Sequence, residues 1–274
     1  TAQIRIAKAI APLAIEDGRA ADEDSARKWL LSEGDEVRAY LMEIDSERLV
    51  PLMANANIRM SVFPHLFEDD VVIPKGGFRG ASYNGVPTIM LTGASEFSMF
   101  SLGDPWWQSD EATALSVDEL AAASAFSVKY GSDMYRIFNA QESADAMADS
   151  FGEKVYVCQV DYGGDNSAMA ADLQPYGSFH GIFVPMIATD NQYAALMPNV
   201  FDKTGYGAMA EAYNGYLKHF LATGDPNGDG LEAWEAWDRS SRQSLILDAD
   251  EIEARISCED VSRTYGDIIA DMKA

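Results

Sequence analysis

The chain has 274 residues, of which 47% are hydrophobic, enough to bury a core as one large domain or as two ordinary ones. Its 44 acidic and 20 basic residues give a formal net charge of −24, which argues against nucleic acid as a partner because phosphates would be repelled. The acids are dispersed, which favours a solubilising surface over a cation-binding patch. No apolar stretch is long enough to cross a bilayer, so no membrane span is predicted.

The first part of the chain is predicted to be helical. Residues 1–60 form a helical lead-in, with helices predicted at Ile4–Ile15, Ser25–Leu31, Asp35–Met42 and Ser46–Met53. A loop is predicted to follow over Pro64–Gly85, because it contains glycine-rich turn signals.

The first predicted strand ends beside an acid. Val86–Gly93 is a short apolar run bounded by turn residues, which favours a buried parallel strand. Glu96 follows just past the carboxyl end of that strand. This edge of an open α/β sheet is where ligands bind, so Glu96 is a candidate catalytic acid. Taken alone, an acid after a strand is more often a surface residue.

A helical insertion and a second strand come next. Residues 101–138 hold Trp106, Trp107 and a helical stretch near Val117–Phe126. Asn139–Glu142 has the spacing of a capping box, which predicts a new helix from there to Phe151. The strand predicted over Val155–Asp161 then completes the second half of a βαβ unit.

A histidine between small residues follows the second strand. His180 lies in Ser178-Phe179-His180-Gly181, as expected where a ring must reach into a cleft, although a hydrogen-bonded loop histidine would have the same surroundings. The remaining predicted elements are a helix over Tyr206–Leu221, strands at Ser244–Leu247 and Ile252–Ile256, and a closing helix from about Asp260.

Glu96 and His180 have the chain order of the last two members of a Ser–acid–His triad. In such a triad the histidine takes the proton of the serine nucleophile, and the acid orients and stabilises the imidazolium. No serine of the chain lies in Gly-x-Ser-x-Gly; the segments around Ser82 and Ser95 come nearest but lack the second glycine. The sequence therefore predicts the acid and the base of a triad without its nucleophile.

A third motif carries a family resemblance. Phe220–Asn227 (FLATGDPN) closely resembles the Phe-x-x-Thr-Gly-Asp-Pro-Asn signature of the type-B carboxylesterases, the cholinesterase and carboxylesterase family of α/β-hydrolases. Trp234–Trp237 resembles the family's Trp-Pro-x-Tyr, with both aromatic positions kept. The resemblance covers about residues 40–274.

The same family places its triad glutamate and histidine in segments that this chain matches with departures. Val86–Phe100 resembles the strand and turn of the glutamate, with Phe97 in place of the usual glycine. Ser178–Gly181 resembles the catalytic-histidine motif, with Phe183 where a glutamate is usual. The resemblance thus implies Glu96 and His180 as catalytic residues.

The resemblance implies an α/β fold, namely the C-terminal half of an α/β-hydrolase with a mostly parallel central sheet flanked by helices. It implies one domain over residues 1–274 that is completed by a separate N-terminal chain. That partner would carry the Gly-x-Ser-x-Gly nucleophile and the oxyanion hole, and this chain is predicted to be stable only with it. Residues 101–138 would form an insertion near the substrate pocket, with Trp106 and Trp107 as wall residues; ordinary core burial is the alternative for both.

The implied reaction is hydrolysis of small-molecule carboxylic esters by serine acyl transfer, without a cofactor or a metal. Secreted or periplasmic placement is common in the family. The second hypothesis is a non-catalytic, cholinesterase-like binding or adhesion protein, although such proteins typically lose triad residues. A third hypothesis makes Thr1 an N-terminal nucleophile, but that architecture needs a strand at Thr1, whereas Ile4–Ile15 predicts a helix.

Two further features concern metal and redox chemistry. Asp225–Gly230 resembles the start of a calcium-binding EF-hand loop, but the position of the required bidentate glutamate holds Ala236. The family resemblance makes this segment a structural turn. Cys158 and Cys258 form one disulfide or none, and their spacing leaves both possibilities open.

Overall fold

The computed structural model describes residues 2–32, 34–54, 70–71, 73–75, 84–188, 191–193 and 197–274. Most of the loop predicted over Pro64–Gly85 lies outside these residues. The α-helices are α1 (Ala2–Glu16), α2 (Glu23–Leu30), α3 (Asp35–Glu43), α4 (Ser46–Leu49), α5 (Ser98–Leu102), α6 (Asp110–Thr113), α7 (Val117–Arg136), α8 (Glu142–Ser150), α9 (Val184–Ile187), α10 (Pro198–Phe201), α11 (Thr204–Thr223) and α12 (Tyr265–Lys273). Val50–Ala54 and Pro105–Gln108 are 3-10 helices, and Ile137–Gln141 is a π-helix.

The chain divides into two compact units. The first contains the described residues of Thr1–Phe67 and Gly103–Leu115, and the second those of Glu68–Leu102 and Ser116–Ala274. The first unit is helical, and its core is built from four alanines and three larger side chains of α1, α2 and α3: Ala7, Ala11, Ala14, Ala26, Leu30, Val37 and Tyr40. The alanines allow α1 and α2 to approach closely, and Asp22 and Ser25 form the capping box that starts α2.

The second unit contains the sheet. Its strands are β1 (Thr88–Gly93), β2 (Val155–Val160), β3 (Gln243–Ala249) and β4 (Ala254–Asp260), in that spatial order. The first three strands run parallel, and β4 is antiparallel to β3. This mixed sheet with flanking helices is an α/β fold, as the sequence predicts.

Strand β2 lies at the centre of the core and is buried along its whole length. Val155 and Val157 pack against Trp237 and the alanines of the π-helix and α8. Tyr156, Cys158 and Val160 pack into a second, larger cluster that includes residues of α11. Because successive strand residues point to opposite faces, the sheet is covered by apolar side chains on both faces.

Two expectations from the sequence are corrected or settled. The helix predicted to run to Phe151 is present as α8 (Glu142–Ser150), but its predicted capping box at Asn139–Glu142 is wrong: a π-helix joins α7 to α8 without a break, and no side chain caps the start of α8. Cys158 and Cys258 are both free thiols. Each is in register with Leu245, on either side of β3, so two strand spacings of roughly 10 Å in total separate them, which is too far for a disulfide.

The calcium-like segment is a turn held by protein groups. The Asp225 carboxylate accepts hydrogen bonds from the Asn227 backbone and side chain and from Lys154 Nζ. Asn227 in turn exchanges two hydrogen bonds with the backbone of Trp234.

Within the described part of the chain, no group of three or more His, Cys, Asp or Glu side chains is placed to hold a metal. No helix of the described residues has both the length and the hydropathy to cross a membrane.

Candidate active site

The carboxyl ends of β1 and β2 lie side by side, and both candidate catalytic segments leave from this edge. Gly93 is in register with Val160 at the last residues of the two strands. The turn after β1 crosses toward β2, because the Ala94 N–H donates to the Val160 carbonyl at 2.9 Å. The parallel arrangement therefore brings together two loops that are distant in sequence.

The turn over residues 94–97 buries Glu96. This residue is only 6% exposed, so its carboxylate needs hydrogen-bond donors inside the protein. Oε2 accepts from the Gly93 N–H at 2.7 Å, and Oε1 accepts from His180 Nδ1. Both oxygens of the buried acid thus have a partner.

The histidine loop is anchored by its neighbours. Phe179 and Ile182, on either side of His180, are each 1% exposed and belong to the large core cluster. Ser178 Oγ donates to the Val160 carbonyl, and the Ser178 carbonyl accepts from the Ser95 N–H at 3.0 Å. Burial of the flanking residues leaves the His180 side chain half exposed and directs it against the acid turn.

The contact between Glu96 and His180 sets the protonation pattern of the ring. A carboxylate only accepts, so Nδ1 carries the proton of this hydrogen bond and Nε2 is left to accept one. The hydrogen bond to Glu96 raises the pKa of His180 above its ordinary value, against the opposing effect of partial burial. The pair is therefore arranged as a general base with an orienting acid.

Aromatic rings flank this pair. Phe100, on α5, packs against the His180 ring with 5.6 Å between centroids and stacks on Tyr135 of α7. Burial, and secondarily the charge of Glu96, raises the pKa of Tyr135. The sequence interpretation assigned no role to Phe100 or Tyr135. The signal that would have found Phe100 is an aromatic residue only four positions after the candidate acid.

A charged cleft of about 260 Å³ lies beside the acid turn, with Ala94 and Ser95 among its lining residues. Another lining residue, Asp133, pairs with Arg136 at 2.9 Å and with Arg263 at 2.8 Å. Arg136, the last residue of α7 before the π-helix, also donates to Gln159 of β2 at 2.7 Å. These contacts tie α7 to β2 and to the segment before α12.

The two predicted pocket tryptophans lie in the other unit. Trp106 and Trp107 form part of the 3-10 helix Pro105–Gln108, which Asp104 caps, and their rings meet edge to face at 4.9 Å. Their predicted role as pocket walls stays a prediction.

Comparisons with known proteins give structural likeness only. No protein-family model matches the chain, and no curated protein matches it in sequence. The chain is similar to a PNB esterase structure at 15% identity and TM-score 0.49, covering 86% of this chain and 48% of that one. A thermophilic PNB esterase gives 14% identity, TM-score 0.48 and coverages of 86% and 48%.

A third similar structure is juvenile hormone esterase from Manduca sexta, determined with OTFP covalently attached. It is 16% identical with a TM-score of 0.48, and 88% of this chain and 52% of that chain are covered. The chain therefore spans about half the length of the solved structures that it matches.

Proposed function

We propose that this chain supplies the acid and the general base of a serine carboxylesterase, with Glu96 and His180 in those roles. The observation that carries the proposal is the hydrogen-bonded pair of a buried carboxylate and a half-exposed imidazole, held at the carboxyl edge of two adjacent parallel strands. The order of the acid before the histidine along the chain and the family resemblance of both segments support the same assignment.

The reaction would proceed by two acyl transfers. His180 Nε2 takes the proton of a serine hydroxyl as that oxygen attacks the ester carbonyl, while Glu96 stabilises the imidazolium through Nδ1. His180 then protonates the leaving alcohol. Water repeats the cycle on the acyl-enzyme, again with His180 as base, and releases the carboxylic acid. No cofactor enters these steps.

The serine and the oxyanion hole would come from an N-terminal half on a separate chain. Among the described residues, β1 pairs with β2 on one edge and with no strand on its other edge. A parallel strand added there would end beside Gly93. A turn at the carboxyl end of that strand would then present a nucleophile next to His180. A free edge of this kind also favours association, because its backbone donors and acceptors lack strand partners.

Labelling with a fluorophosphonate probe, followed by denaturing mass analysis, tests the proposal. Label on a second, co-purifying polypeptide is the expected result, and the labelling rate should fall sharply in His180→Ala. The matched control is His219→Gln, a histidine of α11, which should label at the wild-type rate.

Other outcomes point elsewhere. Label on this chain would place the nucleophile within the 274 residues and refute the two-chain arrangement. Absence of label from purified, folded protein would refute the esterase proposal and favour the non-catalytic binding protein. Wild-type labelling of His180→Ala would remove His180 from the mechanism.

A further inference from the structure

The acid turn, residues 94–97, is held between two glycines whose missing side chains leave space for it. The first is Gly93, the last residue of β1. Its N–H donates to Glu96 Oε2 at 2.7 Å. A Cβ placed on Gly93 would lie 2.8 Å from that same oxygen and closer still to the backbone carbonyl of Ser178. Real Cβ atoms essentially never come so near, so the backbone or the carboxylate would have to move.

A side chain at position 93 would displace both Glu96 and the loop that carries His180. Ser178 lies two residues before His180, and its carbonyl also accepts the Ser95 N–H at 3.0 Å. A methyl group on Gly93 would therefore press on the acid directly and on the histidine loop through Ser178. Because the obstructing atom is a backbone oxygen inside a buried segment, no side-chain rotation relieves the contact.

The second glycine lies on the other side of the turn. Phe97 follows Glu96, and its N–H donates to Ser132 Oγ of α7 at 3.0 Å. A Cβ on Gly131, the preceding residue of α7, would lie 2.7 Å from Phe97 Cγ. Glycine destabilises the interior of a helix, so its presence at position 131 needs an explanation. The explanation is the Phe97 ring, which occupies the space that a side chain at this position would fill.

We propose that Gly93 and Gly131 are positioning residues for Glu96: one seats the carboxylate against the histidine loop, and the other seats the Phe97 ring that follows it. The proposal rests on the proposed function, since the pair that they position is the acid and the base. Both glycines act through the position that they give to Glu96.

Alanine substitutions in the assembled enzyme test the idea. Gly93→Ala is expected to lower kcat by about 100-fold with KM within about twofold of wild type, because a misplacement of about 1 Å has an effect of this size. The pKa of His180 should fall toward its ordinary value, because the hydrogen bond to Glu96 is what raises it. The control is Gly207→Ala, in α11, where an added Cβ meets no atom within 4 Å.

A double-mutant cycle isolates the second contact and covers the case in which Gly93→Ala fails to fold. Gly131→Ala should lower kcat and the pKa of His180 in the wild-type background. In a Phe97→Ala background the same substitution should have no further effect, since the ring that it obstructs is gone. Equal effects in both backgrounds would overturn the role assigned to Gly131.

The His180 titration separates this proposal from the proposed function. It is followed by NMR of ¹³Cε1-labelled histidines, with the signal assigned by its loss in His180→Gln. If the wild-type protein hydrolyses no ester but the glycine variants still lower the pKa of His180, positioning holds and catalysis fails. If folded Gly93→Ala keeps the wild-type pKa of His180 and the wild-type kcat, the positioning role is refuted.

Discussion

Replacing Glu96 by glutamine should disable the proposed catalytic base more than a simple loss of charge would. The Gly93 N–H donates to one of the two carboxylate oxygens at 2.7 Å. In Glu96→Gln the amide oxygen is the only acceptor that can meet this donor. The amide NH₂ is then turned toward His180 Nδ1, where it donates instead of accepting. The ring responds by placing its proton on Nε2, so Nε2 no longer accepts a proton from serine.

The size of this effect follows from two losses. The tautomer is inverted, and the imidazolium that forms in the transition state has lost its buried counter-charge. In serine proteases the corresponding acid-to-amide change lowers kcat by about 10⁴. We expect a loss on the order of 10³- to 10⁴-fold here, which equals about 4–5 kcal/mol in activation free energy. Stability should change by only about 1–2 kcal/mol, because the Gly93 N–H keeps an acceptor.

Initial rates on a chromogenic aryl ester, with thermal unfolding as the check of folding, measure both quantities. Glu153→Gln is the matched control, because Glu153 is exposed and the exchange removes the same charge from the surface. A folded Glu96→Gln protein with a kcat within tenfold of wild type would refute the assigned tautomer and the role of the acid.

Four further predictions concern the Glu96–His180 pair and the core of the second unit. Activity should fall as the pH drops, with a midpoint above the ordinary histidine pKa of 6.5, because Glu96 stabilises the protonated ring; a pH profile of kcat/KM checks this, and a midpoint below 6.5 contradicts it. The same pair should contribute stability at low pH that is lost as the pH rises through the raised pKa. In native protein a thiol reagent should leave Cys158 unmodified, since it is fully buried and burial raises its pKa, while reduction of unfolded protein should reveal no disulfide by mass. Trp234→Phe should lower the free energy of unfolding by about 2–4 kcal/mol in denaturant titration, because the Val157 carbonyl loses the indole N–H at 3.0 Å and a cavity opens in the core; a change below 1 kcal/mol would contradict it.

The strands and long helices were predictable because each depends on local pattern. The apolar runs of β1 and β2 locate both strands to within two residues, and the predicted helix over Tyr206–Leu221 lies within α11. The failure at Asn139–Glu142 has a physical reason. In a capping box, side chains accept hydrogen bonds from the first N–H groups of a new helix. Here α7 continues into a π-helix, whose carbonyls accept those hydrogen bonds instead.

The pairing of Glu96 with His180 was expected from the sequence, whereas the residues that support the pair were not, and the catalytic role of both stays a prediction. Glu96 and His180 lie in sequence motifs that indicate an acid and a base. Gly93, Gly131 and Phe100 act through contacts between segments that are far apart along the chain. No single-sequence pattern indicates that a helix glycine faces an aromatic ring of a distant turn, because that pairing exists only after the acid turn and α5 have packed on α7.

The contacts that assemble the acid–base pair all lie within the second unit, between residues 93 and 180. Gly93 fixes the carboxylate, the Ser95–Ser178 hydrogen bond joins the two loops, and buried Phe179 directs His180 outward. Each contact is formed by backbone or by core side chains, which hold position better than exposed loops. The base is therefore oriented by contacts of this chain alone, and the geometry of the turn in a nucleophile-bearing half would decide whether the serine reaches Nε2. On this reasoning, substitutions at Gly93 should change the pKa of His180 in the assembled protein to the same extent whether the partner's serine is intact or replaced by alanine.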